Sequence, residues 1–390
     1  MNGFKKAMFA VTLLLLLTGS LFAMGNSEQA SDVYKVGFIG PLTGDNANYG
    51  VRCLNATNLA VSEINAKGGI DGKQIQIISE DSEGAPEKAL AAYEKLVYTD
   101  NVCAIIGPVF TGESLAVGPR CVEDGIVMIT PSASHKDVTA AGDYVFRTTP
   151  SDALQSDVAG HYFFEVLGYK NIGILYATND YSQGLANGVK EIYNELGGKV
   201  VAEETFMVGD KDFRTQLTQI ASKNPDAIYI PDYTVEMAQI LEQAAQLGIK
   251  VPFLSGDGFN DPMIYQLAGA YTNGVVYTGS AQAKASSLLS DFQAAYRAAY
   301  NGDEPDTFAT NAYDAMYILA DAIKRAGSAD RSAIRDQVAA TKDFQGANGT
   351  LNFAANGDLV ASQGVYLVEN ETPVYQGAYQ LDNGKLVKVD

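Results

Sequence analysis

Short apolar segments alternate with longer segments of helical periodicity along nearly the whole chain, and this alternation restricts its fold more than any other feature. The first series runs strand 33–39, helix 49–66, strand 74–80, helix 86–98, strand 102–106. These strand segments are apolar on both faces, which is typical of a parallel sheet covered by helices on each side. The sequence therefore predicts an α/β fold with mostly parallel sheets.

The alternation starts again after residues 147–150. The second series runs helix 152–166, strand 171–176, helix 181–196, strand 199–206, helix 212–222, strand 226–230, helix 235–247. Two segments pair with segments of the first series: NIGILYATND (171–180) with KVGFIGPLTG (35–44), and PDAIYIPD (225–232) with NVCAIIGP (101–108). Any two β-α units share this much, so the pairing is modest support for two similar three-layer lobes.

The C-terminal part is less regular. Predicted helices 287–300, 308–325 and 331–339 are followed by short strands 350–353, 364–369 and 374–379. A chain that returns to its first lobe and then to its second would explain the paired helices. We therefore predict lobe 1 at residues 31–148 with 281–352 and lobe 2 at 149–280 with 353–390, joined by a hinge of several chain crossings.

The first 25 residues have the features of a secretory signal peptide. Two lysines precede an apolar run over residues 8–18, and small residues follow at 23–25. About 11 apolar residues are too few to cross a bilayer, which takes roughly 20. The first cysteine downstream is Cys53, too distant to serve as a lipid anchor. The sequence predicts export and release into a periplasm-like space.

The charge balance restricts the partners. The formal net charge is -19, and removing the two lysines of the signal peptide makes it -21. An acidic surface disfavours nucleic acid and anionic membranes, because both attract basic patches. About 365 residues remain after cleavage, which is enough for two domains with their own cores.

Three cysteines allow at most one disulfide within the chain. A strand starting near Cys103, followed by a helix running back to Cys121, would bring those two thiols to one end of the unit. A Cys103–Cys121 bridge and buried free thiols are both open at this stage. His135 and His161 lie at no metal-ligand spacing from a cysteine, and no Walker loop or G-x-G-x-x-G motif follows a strand. Neither a metal nor a cofactor is predicted.

One segment, IIGPVFTGESLA (105–116), is similar to the nucleophile elbow of a serine hydrolase. The predicted strand ends near residue 106, however, which puts Ser114 inside the first helical turn, with Thr111 as a candidate N-cap. A triad also needs a histidine base. His135 follows within a Ser/Thr-rich loop, and His161 lies on a predicted helix as a partly buried residue. The pattern disfavours an enzyme.

Short hydroxyl-bearing loops follow three predicted strands, at residues 40–44, 109–112 and 130–134. In open α/β sheets, ligands bind at the carboxyl ends of the strands. Helix N-termini at that edge offer free N–H groups, which suit a carboxylate. The loops therefore predict a site for a ligand that carries a carboxylate.

At these loops the chain resembles the periplasmic substrate-binding proteins of branched-chain amino-acid ABC transporters. The similar segments, which extend over about residues 33–370 in the family's order, are GFIGPLTGDNANYG (37–50), EINAKGGIDGKQIQI (63–77), AIIGPVFTGESLAV (104–117), GIVMITPSAS (125–134), YATNDYSQGLANG (176–188) and DKDFRTQL (210–217). The resemblance implies a type I periplasmic-binding-protein fold, with two lobes, three hinge crossings and a ligand enclosed between them.

The resemblance also implies a function. The protein would be a monomer that captures a small amino acid, most simply a branched-chain or other aliphatic one, and delivers it to a membrane permease without catalysing a reaction. The alternative is a sensor-type binding module on the same fold, with an amide, urea or an aromatic acid as its ligand.

The family's site residues fall on identifiable positions. Thr111 replaces the family's carboxylate-binding serine, and the residues that would complete the carboxylate shell are Ser132, Ala133 and Ser134. The acid that pairs with the ligand ammonium falls on Asp257, where family members often carry glutamate, and the aromatic residues are Tyr49, Tyr181, Tyr233 and Phe308. All but Tyr49 and Tyr181 have a simpler interpretation as well: an N-cap for Thr111, a polar loop for 132–134, a turn residue for Asp257, and core or rim residues for Tyr233 and Phe308.

Overall fold

The computed structural model describes residues 33–390. The predicted signal peptide, residues 1–25, lies outside the described residues. The strands are β1 Val33–Gly40, β2 Gln74–Asp81, β3 Ala104–Ile106, β4 Val127–Thr130, β5 Val145–Arg147, β6 Asn171–Ala177, β7 Lys199–Phe206, β8 Ala227–Tyr229, β9 Phe253–Ser255, β10 Val276–Ser280, β11 Phe344–Gly346, β12 Gly349–Leu351, β13 Gln363–Glu369, β14 Thr372–Asp382 and β15 Lys385–Lys388.

Helices separate most of the strands, as the alternation predicts. They are α1 Ala47–Ala66, α2 Pro86–Glu94, α3 Thr111–Glu123, α4 Asp152–His161, α5 Asp180–Glu195, α6 Arg214–Ala221, α7 Thr234–Gln246, α8 Met263–Ala268, α9 Ser287–Ala299, α10 Thr307–Ala326 and α11 Arg331–Ala339.

The first sheet is fully parallel, with strand order β2-β1-β3-β4-β5. Successive side chains of a strand point to opposite faces. Ala104 and Ile106 of β3 therefore pack with α1 and α10 on one face, whereas Ile105 packs with α2 and α3 on the other. This is the three-layer arrangement that strands apolar on both faces require.

The second sheet repeats the first and then extends it. Its order is β15-β14-β13-β10-β9-β8-β6-β7, and the run β7-β6-β8-β9-β10 is parallel and matches β2-β1-β3-β4-β5 position by position. The paired segments 35–44 and 171–180 begin with the equivalent strands β1 and β6, and 101–108 and 225–232 contain the equivalent strands β3 and β8. The predicted similarity of the two halves is confirmed. The antiparallel strands β13 to β15 are an addition.

The chain passes between the two sheets three times: after β5, after β10 and between β12 and β13. After the second crossing, α9, α10 and α11 pack in the core of the first sheet, beside the small β11-β12 pair. The return of the C-terminal helices to the first half agrees with the expectation from their irregular pattern. The lobe boundaries themselves stay a prediction.

Two predicted helices, 86–98 and 152–166, are shorter than expected. The α-helical hydrogen bonding ends at Glu94 and at His161, and one π-helical turn follows in each case, at Lys95–Thr99 and Tyr162–Val166. A π turn adds one residue to an otherwise helical repeat. The apolar spacing of a π turn does not differ clearly from that of a continuing α-helix. The sequence pattern therefore predicts a single helix in each of the two segments.

All three thiols are buried and free. Cys103 packs in the cluster on the α1 face of the first sheet, and Cys121 packs on the opposite, α3 face. The sheet therefore separates the two residues for which a bridge was left open, and the alternative of buried free thiols is the one found.

Within residues 33–390, no helix combines the length and apolarity needed to span a bilayer. Nor do the His, Cys, Asp and Glu side chains of this part form a group of three or more that could hold a metal ion.

Candidate functional site

A small cavity lies where the carboxyl ends of the two parallel sheets face each other. Its lining residues are Val109, Thr111, Ser132, Tyr181, Tyr233, Asp257, Gly258 and Phe308. The structure thus brings six of the nine predicted site residues to one cavity, all except Tyr49, Ala133 and Ser134. Five of the six follow strands β3, β4, β6, β8 and β9, in line with the convergence of parallel strand ends, whereas Phe308 lies in the first turn of α10.

One end of the cavity is formed by the start of α3. Thr111 is the first residue of that helix, and Phe110, in extended conformation, is its N-cap. The interpretation of Thr111 as the N-cap was wrong by one residue, because the Phe110 N–H already donates to Glu113 Oε2 at 3.0 Å. Burial raises the pKa of Glu113 to about 7. Thr111 and the positive end of α3 therefore border the cavity without a full negative charge beside them at neutral pH.

The loop after β4 contributes less than the sequence predicted. Ser132 lines the cavity. The Ala133 N–H, however, donates to Thr130 Oγ1 at 3.0 Å, and the Ala133 methyl packs in the core on the α2 and α3 face. The Ser134 carbonyl accepts from Arg147 Nη1 at 2.6 Å. Ala133 and Ser134 thus form the support behind Ser132.

The other end of the cavity carries a carboxylate. Asp257 Oδ1 accepts from the Tyr181 hydroxyl at 2.8 Å and from Gln155 Nε2 at 3.0 Å, and the Asp257 N–H donates to Gln155 Oε1 at 2.9 Å. Burial raises the pKa of Asp257, and the hydrogen bonds from Gln155 and Tyr181 oppose that rise. The carboxylate is held in a fixed orientation at the cavity wall.

The glycine after Asp257 is required by packing. A Cβ at Gly258 would lie 2.7 Å from the Asp232 carbonyl oxygen and 2.9 Å from the Tyr181 hydroxyl, and that hydroxyl already accepts the Gly258 N–H at 2.7 Å. The segment is a turn, as its composition indicates, and it also presents a cavity-lining acid.

Aromatic rings form one continuous wall. Tyr233 is central, with ring centroids 4.9 Å from Tyr181, 4.7 Å from Phe110 and 5.5 Å from Tyr49. Tyr49 contacts Phe308 at 5.7 Å. Sequence reasoning missed Phe110, although it lies beside Thr111 in a segment that was singled out. The wall offers apolar surface to an uncharged part of a ligand.

Tyr49 supports this wall and connects the two halves of the molecule. It lies on α1, and its hydroxyl donates to the Gly258 carbonyl at 2.7 Å and lies 2.8 Å from Thr234 Oγ1. Thr234 and Gly258 belong to the half built on the second sheet. These hydrogen bonds form only when the two halves are in contact.

A polar cluster beside Tyr49 makes further contacts of this kind. Asp261 Oδ2 accepts from Thr234 Oγ1 at 2.7 Å and from Asn48 Nδ2 at 2.5 Å, and Asp261 also forms an ion pair with Arg52. Arg52 lies 3.4 Å from Asp306 at the start of α10. Nothing in the local sequence around these residues indicates the cluster, because the contacts of Asn48 and Arg52 with the two acids join residues more than 200 positions apart.

Ser114 has no catalytic surroundings. It is fully buried in the first turn of α3, and its hydroxyl donates to the Pro108 carbonyl at 3.0 Å. His161 Nδ1 lies 3.0 Å from Glu165, and His135 Nδ1 accepts the Asp137 N–H at 3.2 Å. Each of these ring contacts goes to a residue near the histidine in sequence, and the Ser114 hydroxyl bonds a backbone carbonyl, so Ser114 lacks the exposed hydroxyl and the histidine partner of a hydrolase elbow.

Two similar α/β halves, three crossings and a cavity between the halves that is lined by hydroxyl groups and an acid define a binding protein that closes around a small solute. The chain belongs to the periplasmic binding protein family, whose model matches residues 33–373.

Individual relatives agree with this assignment. The chain is 30% identical, over 85% of its length and 88% of the relative's, to the leucine-, isoleucine-, valine-, threonine- and alanine-binding protein of Pseudomonas aeruginosa. The solved structure of the branched-chain amino acid transporter substrate-binding protein LivJ from Streptococcus pneumoniae, in complex with isoleucine, is 34% identical with a TM-score of 0.81, over 92% of this chain and 100% of that one. The leucine-binding protein LivK from Thermotoga maritima is 32% identical with a TM-score of 0.83, over 88% and 98%.

Proposed function

We propose that this chain is an exported solute-binding protein that captures a small aliphatic α-amino acid in the cavity between its two halves and delivers it to an ABC permease. The observation that carries the proposal is the pairing of Thr111 and Ser132 at one end of the cavity with Asp257 at the other. A zwitterion that leaves water needs hydrogen-bond donors for its carboxylate and a negative partner for its ammonium group. The aromatic wall would accept the aliphatic side chain.

The names of the relatives support the same ligand class. The Pseudomonas relative is named for binding leucine, isoleucine, valine, threonine and alanine, and the two structural neighbours for isoleucine and leucine. A structural neighbour from R. palustris binds benzoate, but at 24% identity it supports the fold alone. The buried acid Asp257 favours a ligand with an ammonium group over an aromatic acid.

A thermal-shift screen tests the ligand class directly, because a solute that binds only the native state raises the melting temperature. We expect shifts with leucine, isoleucine and valine, and none with benzoate or urea. The affinity should rise by about 0.8 kcal/mol for each added methylene that packs on the wall. A shift with benzoate and none with any aliphatic amino acid would favour the alternative ligand class.

Tyr49→Phe is expected to speed ligand release. The change removes the hydroxyl that donates to the Gly258 carbonyl but keeps the ring contacts. Loss of one or two net hydrogen bonds costs the closed form about 1–2 kcal/mol, which corresponds to roughly 5- to 30-fold faster dissociation. Stopped-flow measurement of the ligand off-rate, in the native protein and in the variant, tests this prediction. Tyr300→Phe is the matched control, because the Tyr300 hydroxyl donates to the Asn55 carbonyl within one half.

Ser114→Ala is expected to leave amino-acid affinity unchanged within about twofold, because the Ser114 hydroxyl donates to the Pro108 carbonyl and does not face the cavity. Pro108 keeps a second donor, Thr130 Oγ1 at 2.6 Å. Calorimetry measures the affinity, and an esterase assay on both proteins measures turnover. Ester turnover by the native chain that disappears in the variant would contradict the binding-protein proposal.

A further inference from the structure

A second buried acid lies next to the cavity. Asp152, the first residue of α4, is only 3% exposed and does not line the cavity. Gln155 Nε2 donates to Asp152 Oδ1 at 3.1 Å and to Asp257 Oδ1 at 3.0 Å. Because both oxygens contact the same nitrogen, the two carboxyl groups lie within about 6 Å of each other. Asp152 and Asp257 are here called the acid pair.

The acid pair has no cation of its own. Arg147 is the cation whose charge acts on Asp152. The hydrogen bonds of its guanidinium group, however, go elsewhere: to Asp358 Oδ1, the carbonyls of Ser134 and His135, and Thr139 Oγ1. Within the described chain, the ion pairs include neither Asp152 nor Asp257.

Ser134 is the polar neighbour of Asp152. A hydrogen bond from its side chain lowers the pKa of Asp152 and so opposes the rise that burial causes. The backbones of the two residues are also hydrogen-bonded, because the Asp152 N–H donates to the Ser134 carbonyl at 2.7 Å. A neutral hydroxyl does not balance a buried negative charge, so the acid pair still needs a proton or a cation.

Burial raises the pKa of Asp152, and the negative charge of Asp257 raises it further. The other ionisable groups that face the acid pair are Tyr181, Tyr229 and Tyr233, whose burial raises their own pKa values. On the outer side of α4, Asp152 borders a surface groove with His135, Lys136, Asp137, Asp157, Glu191 and Glu195. Two carboxyl groups this close and this buried do not both ionise without a cation.

We propose that the acid pair holds one proton in the ligand-free protein and exchanges it for the ammonium group of the ligand. Asp152 is then a specificity-determining residue, which acts through Gln155 and Asp257 to select α-amino acids over the corresponding acids without an amino group. The exchange balances: the ligand enters as a zwitterion, its ammonium group pairs with Asp257 at the cavity wall, and the proton held by the acid pair leaves to solvent. The inference rests on the proposed binding of an aliphatic amino acid.

Calorimetry of leucine binding at neutral pH, in two buffers of different ionisation enthalpy, measures this exchange. The native protein should release about one proton per leucine, and its affinity should rise with pH by up to about tenfold per unit over the range in which the pair titrates. Leucine without its amino group, 4-methylpentanoate, should bind more weakly and release no proton.

Asp152→Asn removes one of the two acids and should abolish most of the proton release while leucine still binds. Asp291→Asn, an exposed position on α9, makes the same change in net charge and should leave the proton release intact.

The outcomes are distinguishable. Two results would overturn the inference and leave the proposed function intact. One is leucine binding without proton release by the native protein, and the other is unchanged proton release in a folded Asp152→Asn variant. If that variant fails to fold, the native protein still tests the inference, because it should release a proton with leucine and none with 4-methylpentanoate. Absence of binding heat with leucine, isoleucine and valine alike would instead refute the proposed function.

Discussion

Asp257→Asn is expected to weaken leucine binding by about 1.5–3 kcal/mol, the range for a hydrogen bond to a charged group, or roughly 10- to 150-fold in Kd. Asparagine has nearly the same shape, and its oxygen can still accept from Tyr181 and Gln155, which contact Asp257 Oδ1 at 2.8 and 3.0 Å. The variant should therefore fold. It lacks the negative charge, and its amide presents donors where the ligand ammonium group needs acceptors. Calorimetry at neutral pH measures the loss.

Asp291→Asn serves again as the control, because this exposed position lies on α9, away from the cavity lining. The control should bind leucine as the native protein does. If Asp257→Asn also binds with native affinity while its melting temperature is unchanged, Asp257 is not part of the site, and the ammonium group must be bound elsewhere.

The architecture could be predicted in outline because it depends on local patterns. Alternating strands and helices appear directly in the sequence, and the apolar character of both faces of β1 and β3 indicates a sheet covered on two sides. The similarity of residues 35–44 to 171–180 marked the equivalent strands of the two halves. The π-helical turns after Glu94 and His161 were not predictable, because one added residue per turn leaves the apolar pattern almost unchanged.

The site was predictable where a residue follows a strand. Thr111 and Ser132 lie at strand ends, and parallel strand ends meet at one edge of a sheet. Asp257 needed the family resemblance, since an acid between glycines is ordinary turn composition. Gln155 and Asp152 were missed because they act through residues about 100 positions away. Only the tertiary structure shows that α4 places both of them against Asp257.

Arg147→Met is expected to cost about 3–5 kcal/mol of unfolding free energy, the range for breaking a buried ion pair by removing one partner. The Arg147 side chain is fully buried at the end of β5. Its Nε donates to Asp358 Oδ1 at 2.6 Å, and its Nη1 donates to the carbonyls of Ser134 and His135 at 2.6 and 2.8 Å. Methionine fills part of the volume and satisfies none of these acceptors.

The same arginine links the loop behind Ser132 to the third crossing between the sheets, where Asp358 lies, so the variant should also bind leucine more weakly. Urea unfolding followed by far-ultraviolet circular dichroism measures the stability, since the chain has no tryptophan. Arg214→Met is the matched control: Arg214 pairs with Asp212 at 2.9 Å on the surface, and such exposed pairs contribute about 0–1 kcal/mol. Equal losses of unfolding free energy in the two variants would mean that the buried Arg147 stabilises the fold no more than an exposed arginine does. Its hydrogen bonds would then not be needed to hold the loop behind Ser132 to the third crossing.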